Sequence, residues 1–250
     1  MSEKKIFRVR LYGDSLALPR KGMVKSEERY IALLENSWRE KKGQGCVDIV
    51  NRAWGGASVD MLHRAYVQDN SYFELPGDVL IIHSGVVDCA PRPVPVWLRE
   101  IISGLNWRIQ NPVVSFLHNN RSRILRSGFV YVRTEISVFE KHLREFLSHA
   151  SRNFSRVYVI NIAPTNEKIE KHSPGFTSNI NKYNEKIRKV VDELRCPSVL
   201  LVNIHDYIKS RPEHIDNFVT TDDGHHLTAR SHRFIFECIE AEEKIRAAQA

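Results

Sequence analysis

Short apolar segments alternate with amphipathic helical segments along almost the whole chain, and this alternation limits the possible folds more than any other feature. The apolar segments span residues 6–13, 46–54, 77–85, 156–164 and 198–207. Apolar residues at helical spacing mark the segments 26–43, 58–69, 134–150, 179–194 and 225–248. Strands that alternate with helices of this length form a parallel sheet covered by helices on both faces. The sequence therefore predicts an α/β protein with a three-layer α/β/α architecture around a central parallel sheet.

The length and composition indicate one compact domain over residues 1–250. The chain has 250 residues, and 42% of them are hydrophobic, which is enough for a sizeable core. The formal net charge of +7 favours anionic partners, such as an acidic or phosphorylated substrate, a membrane surface or nucleic acid. Net charge alone does not choose among these partners.

Residues 91–133 form a basic insert within this domain. Prolines punctuate its start, and it carries seven arginines against one acid, Glu100: Arg92, Arg99, Arg108, Arg121, Arg123, Arg126 and Arg133. Long excursions between core elements are usually functional or mobile. The guanidinium groups either bind phosphate or carboxylate in bidentate fashion or form a solvated basic face.

The cysteines and the N-terminal segment predict a cytoplasmic protein with reduced thiols. The four cysteines, Cys46, Cys89, Cys196 and Cys238, are scattered and form no C-x-x-C pair. The N-terminal residues lack the apolar run of a signal peptide, and no stretch approaches the roughly 18 apolar residues of a membrane span. Peripheral contact with a membrane stays open.

Glycines and polar residues follow three of the predicted strands. These groups are Gly13-Asp14-Ser15, Gly55-Gly56 and the segment 85–88. Because ligands on parallel sheets bind beyond the carboxyl ends of the strands, we expect the three groups to gather at one edge of the sheet.

Ser15 is either a nucleophile or a helix cap, and its possible partners lie near the other end of the chain. A serine hydroxyl needs a base within hydrogen-bond reach, and a carboxylate best holds that base in one tautomer. Asp223 and His226 form a D-x-x-H step that supplies both, although Asp222 and His225 have the same spacing. We prefer Asp223 and His226 because Gly224 then supplies the tight turn. The alternative is an aspartate that caps the last helix beside surface histidines.

Four segments together resemble the sequence blocks of the SGNH (GDSL) hydrolases. These segments are "YGDSL" near the start, "WGGAS", "HSGVVD" and "DGHH" near the end, in the family's order over almost the whole chain. "HSGVVDCAPRP" also resembles, more weakly, a subgroup associated with bacterial polysaccharide and glycolipid biosynthesis. The resemblance implies the flavodoxin-like version of the three-layer fold and a serine esterase without a cofactor.

The family's site residues can be matched one by one to this sequence. Ser15 matches the nucleophile, His226 the general base and Asp223 its orienting partner. The backbone N–H groups of Ser15 and Gly56 match two oxyanion donors. Asp14 matches the aspartate before the nucleophile, and we expect it to hold the turn through hydrogen bonds to the backbone.

The third block departs from the family's G-x-N-D pattern, because Val87 stands where the family has an asparagine that donates to the oxyanion. A valine side chain donates nothing, and the loss of one such donor costs roughly 2.7–4 kcal/mol elsewhere. The residues that we consider as substitutes are His83, Asn51, Arg92 and Asn161. The sequence also suggests five substrate-binding residues: Asp14, Asn51, His83, Asp88 and Arg92.

Three classes of function remain. The first is an ester hydrolase that acts on a carbohydrate or glycolipid O-acyl ester, or an acyltransferase that uses the same acyl-enzyme. The basic net charge predicts that this substrate is anionic. The second is a binding module that keeps the fold without turnover, as Val87 suggests. Nucleic-acid binding is disfavoured because no recognition motif is present. We expect no metal, because His225 and His226 with Asp222 and Asp223 fit no common metal-ligand spacing.

Overall fold

A five-stranded sheet forms the centre of the molecule, in a computed structural model that describes residues 6–73 and 77–249. All neighbouring strands pair in parallel, in the order β2-β1-β3-β4-β5. The strands are β1 (Phe7–Gly13), β2 (Val47–Ala53), β3 (Gly77–His83), β4 (Phe154–Ile160) and β5 (Val199–Val202). This order is that of the flavodoxin-like fold, and it confirms the predicted fold class.

Helices cover the sheet on both sides. They are α1 (Tyr30–Lys42), α2 (Val59–Phe73), α3 (Val86–Cys89), α4 (Val96–Ser103), α5 (Trp107–Asn119), α6 (Arg121–Arg126), α7 (Ile136–Asn153), α8 (Glu167–His172), α9 (Phe176–Leu194), α10 (Ile204–Lys209) and α11 (Ala229–Gln249). Helix α1 packs against α11, while α7 packs against both α2 and α9. The first and last long helices of the chain are therefore neighbours.

The core lies where the sequence predicts it, around the central strands. In β3, the residues Val79 to Ile82 are all at most 1% exposed. A continuous apolar run of this kind belongs to a strand that is buried on both faces. Because β2, β1 and β3 are parallel neighbours, their carboxyl ends lie side by side at one edge of the sheet.

Two predicted element boundaries are wrong. The segment 198–207 is not one strand, because β5 ends at Val202 and α10 begins at Ile204. Asn203 causes the change, since its side chain accepts a hydrogen bond from the backbone N–H of Asp206 and caps α10. The predicted helix 26–43 starts too early, because α1 begins at Tyr30, after a 3₁₀ turn at Ser26–Glu28.

The basic insert is more regular than its prolines suggest, since it contains α4, α5 and α6. An antiparallel bridge between Arg92 and Tyr131 closes its base. Several of its large apolar side chains are exposed, among them Trp97 (61%), Trp107 (64%) and Phe116 (62%). Within the described ranges, no helix is long and apolar enough to cross a membrane.

Candidate active site

The turn after β1 places Ser15 at the open edge of the sheet. The backbone N–H of Asp14 donates to the His83 carbonyl of β3 at 2.9 Å, and the Asp14 side chain accepts from the backbone N–H of Leu16 at 2.9 Å. A Cβ at Gly13 would lie 3.0 Å from the Cβ of Ala17, so a side chain here would crowd the turn. The serine is therefore held on a tight strand-to-turn corner.

Asp14 holds this turn and does not face the open edge. It is fully buried, and burial raises its pKa to about 8, with a further contribution from the nearby carboxylate of Asp88. The side chain is therefore mostly neutral at pH 7. Its contact with the backbone of Leu16 is the turn-holding role that the sequence predicts for it.

A cavity of about 650 Å³ opens beside Ser15. Its wall on the sheet side includes Gly56, Val86 and Val87, from the ends of β2 and β3. Gly56 has a φ of +79°, in the left-handed region that favours glycine. The first three segments singled out in the sequence thus meet at one cavity.

The loop before α11 brings a carboxylate and an imidazole together near this cavity. The Nδ1 atom of His226 lies 2.7 Å from Oδ2 of Asp223. Burial would raise the pKa of the Asp223 carboxyl, but the hydrogen bond from His226 and the charges of both neighbouring histidines hold it well below its usual range. Thr220 adds a hydrogen bond at 2.9 Å. Asp223 is therefore an ionised partner that orients the His226 ring.

The competing assignment, Asp222 with His225, has no such contact. Asp222 pairs with Arg20, and the His225 Nδ1 atom lies 3.2 Å from the backbone carbonyl of Asp223. His225 lines the cavity, as do Asp222 and Asp223, whereas His226 is not among the lining residues. Burial, followed by the charge of His226, lowers the pKa of His225.

Ser15 lines the cavity together with Asp223, and its hydroxyl makes no hydrogen bond to His226. Over the described ranges, the Ser15 hydroxyl makes no hydrogen bond to another side chain. Catalytic hydrogen bonds in substrate-free enzymes are often long and tighten when substrate binds. The arrangement thus provides an open serine next to an oriented Asp-His pair.

Arg20 is a site residue that the sequence analysis missed. Its Nη2 atom lies 2.5 Å from Oδ2 of Asp223 and 3.0 Å from Oδ2 of Asp222. The guanidinium and His226 therefore share one carboxylate oxygen. No local sequence pattern reveals the contact between Arg20 and Asp223, because these residues are 203 positions apart.

The third block lacks a side-chain donor, as the sequence predicts, and its aspartate serves the backbone. Val87 lines the cavity. Asp88 is fully buried and accepts from the backbone N–H of Val59 at 3.1 Å, at the start of α2. Burial raises the pKa of Asp88 to about 6. Asp88 therefore ties the short helix α3, after β3, to the start of α2, and it does not line the cavity.

Of the substrate-binding residues that the sequence suggests, only Arg92 lines the cavity, among the described residues. Arg92 lines the cavity, and its Nη2 atom donates to the carbonyl of Val87 at 3.3 Å. Asn51 lies within β2 and accepts from the backbone N–H of Ala53. His83 is fully buried and contacts the Tyr30 hydroxyl at 3.3 Å. Asn161, considered as a substitute donor, is buried and bonded to neighbouring residues. Of the four substitute donors, Arg92 alone reaches the cavity.

Two groups of side chains have the donor types and spacing of a cation site. Asp223, His225 and His226 form one group, in which the potential ligand atoms lie within 4.8 Å of one another. The other, His63, His142 and Glu145, lies between α2 and α7, away from the Ser15 cavity.

No protein-family model and no curated protein matches the chain. Solved structures do match over nearly the full length. A lipase/acylhydrolase from Enterococcus faecalis is 14% identical, with a TM-score of 0.63 and coverage of 96% of this chain and 97% of its own. The acetyl xylan esterase AlAXEase is 22% identical, with a TM-score of 0.59 and coverage of 94% and 99%. The acetylxylan esterase Axe2 from Geobacillus stearothermophilus is 12% identical, with a TM-score of 0.58 and coverage of 97% and 96%. The chain therefore has the three-layer α/β fold of these acylhydrolases and esterases.

Proposed function

We propose that the protein is a serine ester hydrolase of the SGNH type, with Ser15 as nucleophile, His226 as general base and Asp223 as its orienting acid. The observation that carries the proposal is the 2.7 Å contact between His226 Nδ1 and Asp223 Oδ2, at the edge where Ser15 opens into a cavity. The sequence resemblance supports the same three roles. The fold shared with acylhydrolases and esterases is consistent with them.

The reaction follows from these positions. His226 Nε2 accepts the hydroxyl proton as Ser15 Oγ attacks the ester carbonyl, and Asp223 stabilises the imidazolium that forms. The imidazolium then protonates the leaving alcohol as the C–O bond breaks, which leaves an acyl-enzyme on Ser15. Water, deprotonated by His226, attacks the acyl carbon, and release of the carboxylic acid restores the serine.

The tetrahedral intermediate carries an oxyanion, and we assign its stabilisation to the backbone N–H groups of Ser15 and Gly56. Fixed donors aimed at the developing charge are a large part of such catalysis. Val87 supplies no side-chain donor. Arg92 is the nearest substitute, because its guanidinium already contacts the Val87 carbonyl.

For the substrate, we propose an O-acyl ester on a carbohydrate or glycolipid. Two of the structural neighbours carry the name acetyl xylan esterase, which supports a carbohydrate acyl ester as the substrate class. The same acyl-enzyme would make the protein an O-acyltransferase if a sugar hydroxyl replaced water in the second step.

A second candidate is a binding module that has kept the fold. Two observations favour it: the valine in place of a donor, and the lack of a hydrogen bond between Ser15 and His226. Against it stands the ordered Asp223–His226 pair, which a binding module does not need.

Hydrolysis of p-nitrophenyl acetate by the wild type and by Ser15→Ala tests the proposal. We expect Ser15→Ala to lose roughly 10³-fold or more in kcat/KM. Ser26→Ala, which removes an exposed hydroxyl outside the cavity, is the matched control and should keep full activity. Equal turnover by the wild type and Ser15→Ala would exclude the serine mechanism and favour the binding module.

A further inference from the structure

Three arginines of the insert line the cavity opposite the sheet edge. Arg92 precedes α4, Arg99 lies in α4 and Arg121 begins α6, and all three line the same cavity as Ser15. Three separate segments of the insert therefore bring a positive charge to one space. An exposed basic face would not require this convergence.

The backbone and neighbouring side chains hold two of these guanidinium groups in place. The Arg92 backbone pairs with Tyr131 in both directions, at 2.7 and 3.0 Å, and the Arg92 Nη2 atom donates to the carbonyl of Val87 at 3.3 Å. Arg121 donates from Nε to the Ser173 hydroxyl at 2.6 Å and from Nη2 to the carbonyl of Pro91. Their positions are thus fixed before any ligand binds, which lowers the entropy cost of binding.

No carboxylate in the described part of the chain forms an ion pair with these three arginines. In residues 6–73 and 77–249, none of the three guanidinium groups forms an ion pair. The acidic residues of the cavity wall, Asp222 and Asp223, both pair with Arg20. The guanidinium groups of Arg92, Arg99 and Arg121 are therefore available to pair with an anionic ligand.

The pKa values of two arginines reflect this crowding. Burial, followed by the positive charges of Arg99, Arg133 and Arg121, lowers the pKa of Arg92 to about 10. Burial and Arg99 also lower the pKa of Arg121. In addition, the Nε atom of Arg92 is buried and has no hydrogen-bond partner. Unsatisfied donors and mutual repulsion both favour a bound anion.

We propose that Arg92, Arg99 and Arg121 form a subsite for a phosphate group on the ester substrate, in the cavity that contains Ser15. This inference rests on the proposed function and names the substrate class as a phosphorylated acyl ester. Guanidinium groups bind phosphate oxygens in bidentate fashion, which strengthens and orients the contact. A phosphate dianion matches several converging positive charges better than a single carboxylate does.

A smaller cavity extends the subsite away from Ser15. Its volume is about 260 Å³. The same three arginines line it, together with apolar side chains that include Ile102 and Val114. The arginines therefore stand between the Ser15 cavity and an apolar space. A phosphate could be part of a soluble sugar phosphate, or it could be a lipid headgroup whose apolar portion enters this second cavity.

Phosphate binding can be measured without turnover, in Ser15→Ala protein, by calorimetric titration. The probes are inorganic phosphate, glucose 6-phosphate, and phosphatidylcholine vesicles with and without phosphatidic acid. We expect Arg99→Gln and Arg121→Gln each to weaken phosphate binding roughly ten- to a hundredfold, as for lost charged hydrogen bonds. Arg99 is exposed and has no ion pair, so its loss should leave the fold intact.

Arg126→Gln is the matched control, because this exposed arginine of α6 lies in the same insert and does not line the cavity. It should bind phosphate like the wild type. If Arg99→Gln and Arg121→Gln weaken the binding of inorganic phosphate and glucose 6-phosphate, the ligand is a sugar phosphate. If they weaken only the binding of vesicles that contain phosphatidic acid, the ligand is a lipid headgroup. Equal phosphate affinity in all variants, or an equal loss in Arg126→Gln, would overturn the subsite. Because binding is measured on Ser15→Ala, a failure of the subsite is distinguishable from a failure of the esterase mechanism.

Discussion

Arg20→Gln should shift the acid limb of the pH–rate profile to higher pH. Arg20 and His226 contact the same Oδ2 atom of Asp223, at 2.5 and 2.7 Å, so the guanidinium and imidazole nitrogens lie at most about 5.2 Å apart. A positive charge at this distance disfavours the imidazolium. Removal of the guanidinium relieves this repulsion, so in the proposed mechanism the acid limb of the pH–rate profile moves to higher pH.

The size of the shift follows from the distance and the exposure. The Arg20 side chain is 37% exposed, so screening by water is strong. Two unit charges about 5 Å apart interact by about 0.8 kcal/mol in water. Since one pH unit corresponds to about 1.4 kcal/mol, the acid limb should rise by roughly half a pH unit.

The assay is kcat/KM for p-nitrophenyl acetate between pH 5 and pH 9, a range of about four units around the ordinary histidine pKa. Lys21→Gln is the matched control, because it removes a neighbouring exposed charge that makes no contact with Asp223. An acid limb that stays in place or moves to lower pH in Arg20→Gln would refute the shared-carboxylate argument.

Three further predictions concern single residues of the site. His226→Ala should lose roughly 10³-fold or more in kcat/KM, whereas His225→Ala should lose far less; the opposite order would assign the base to His225. Val87→Asn should raise kcat, by up to about 10²-fold, because the new amide can donate to the oxyanion from the cavity wall, and an unchanged kcat would show that the donor is not missing. Asp14→Asn keeps an acceptor for Leu16 and should gain stability relative to the wild type as pH rises. Because burial raises the pKa of Asp14 from about 4 in the unfolded chain to about 8 in the folded protein, the stability that the protonated carboxyl contributes is full below about pH 4. It decreases as pH rises and is lost above about pH 8. Urea unfolding at pH 5 and pH 9 measures this difference, and a parallel pH dependence of the two proteins would contradict it.

Local periodicity was sufficient to predict the sheet and the edge at which the site lies. Apolar runs such as 77–85 identify buried strands, and the parallel-strand rule then brings Ser15, Gly56 and Val87 to one cavity. The contact between Asp223 and His226 was predictable because it lies within one short loop.

Contacts between distant segments could not be predicted in this way. Arg20 looks like an ordinary exposed charge in the sequence, because its acidic partners are about 200 residues away. The sequence predicts Asn51 and His83 as site residues because they neighbour the motifs. Their positions within strands give them backbone or core partners instead. The lining residues Lys168 and His172 come from α8, a short helix that no motif marks.

The neighbouring positions of α1 and α11 have a consequence for the order in which the protein becomes functional. During synthesis, the turn that carries Ser15 leaves the ribosome early, whereas the loop with Asp223 and His226 follows all five strands of the described sheet. A nascent chain therefore contains Ser15 long before it contains the Asp223–His226 pair. Loss of the C-terminal segment would remove both the Asp-His pair and the helix that packs on α1. Activity by the proposed mechanism therefore requires the N-terminal strand and the C-terminal segment to be folded together.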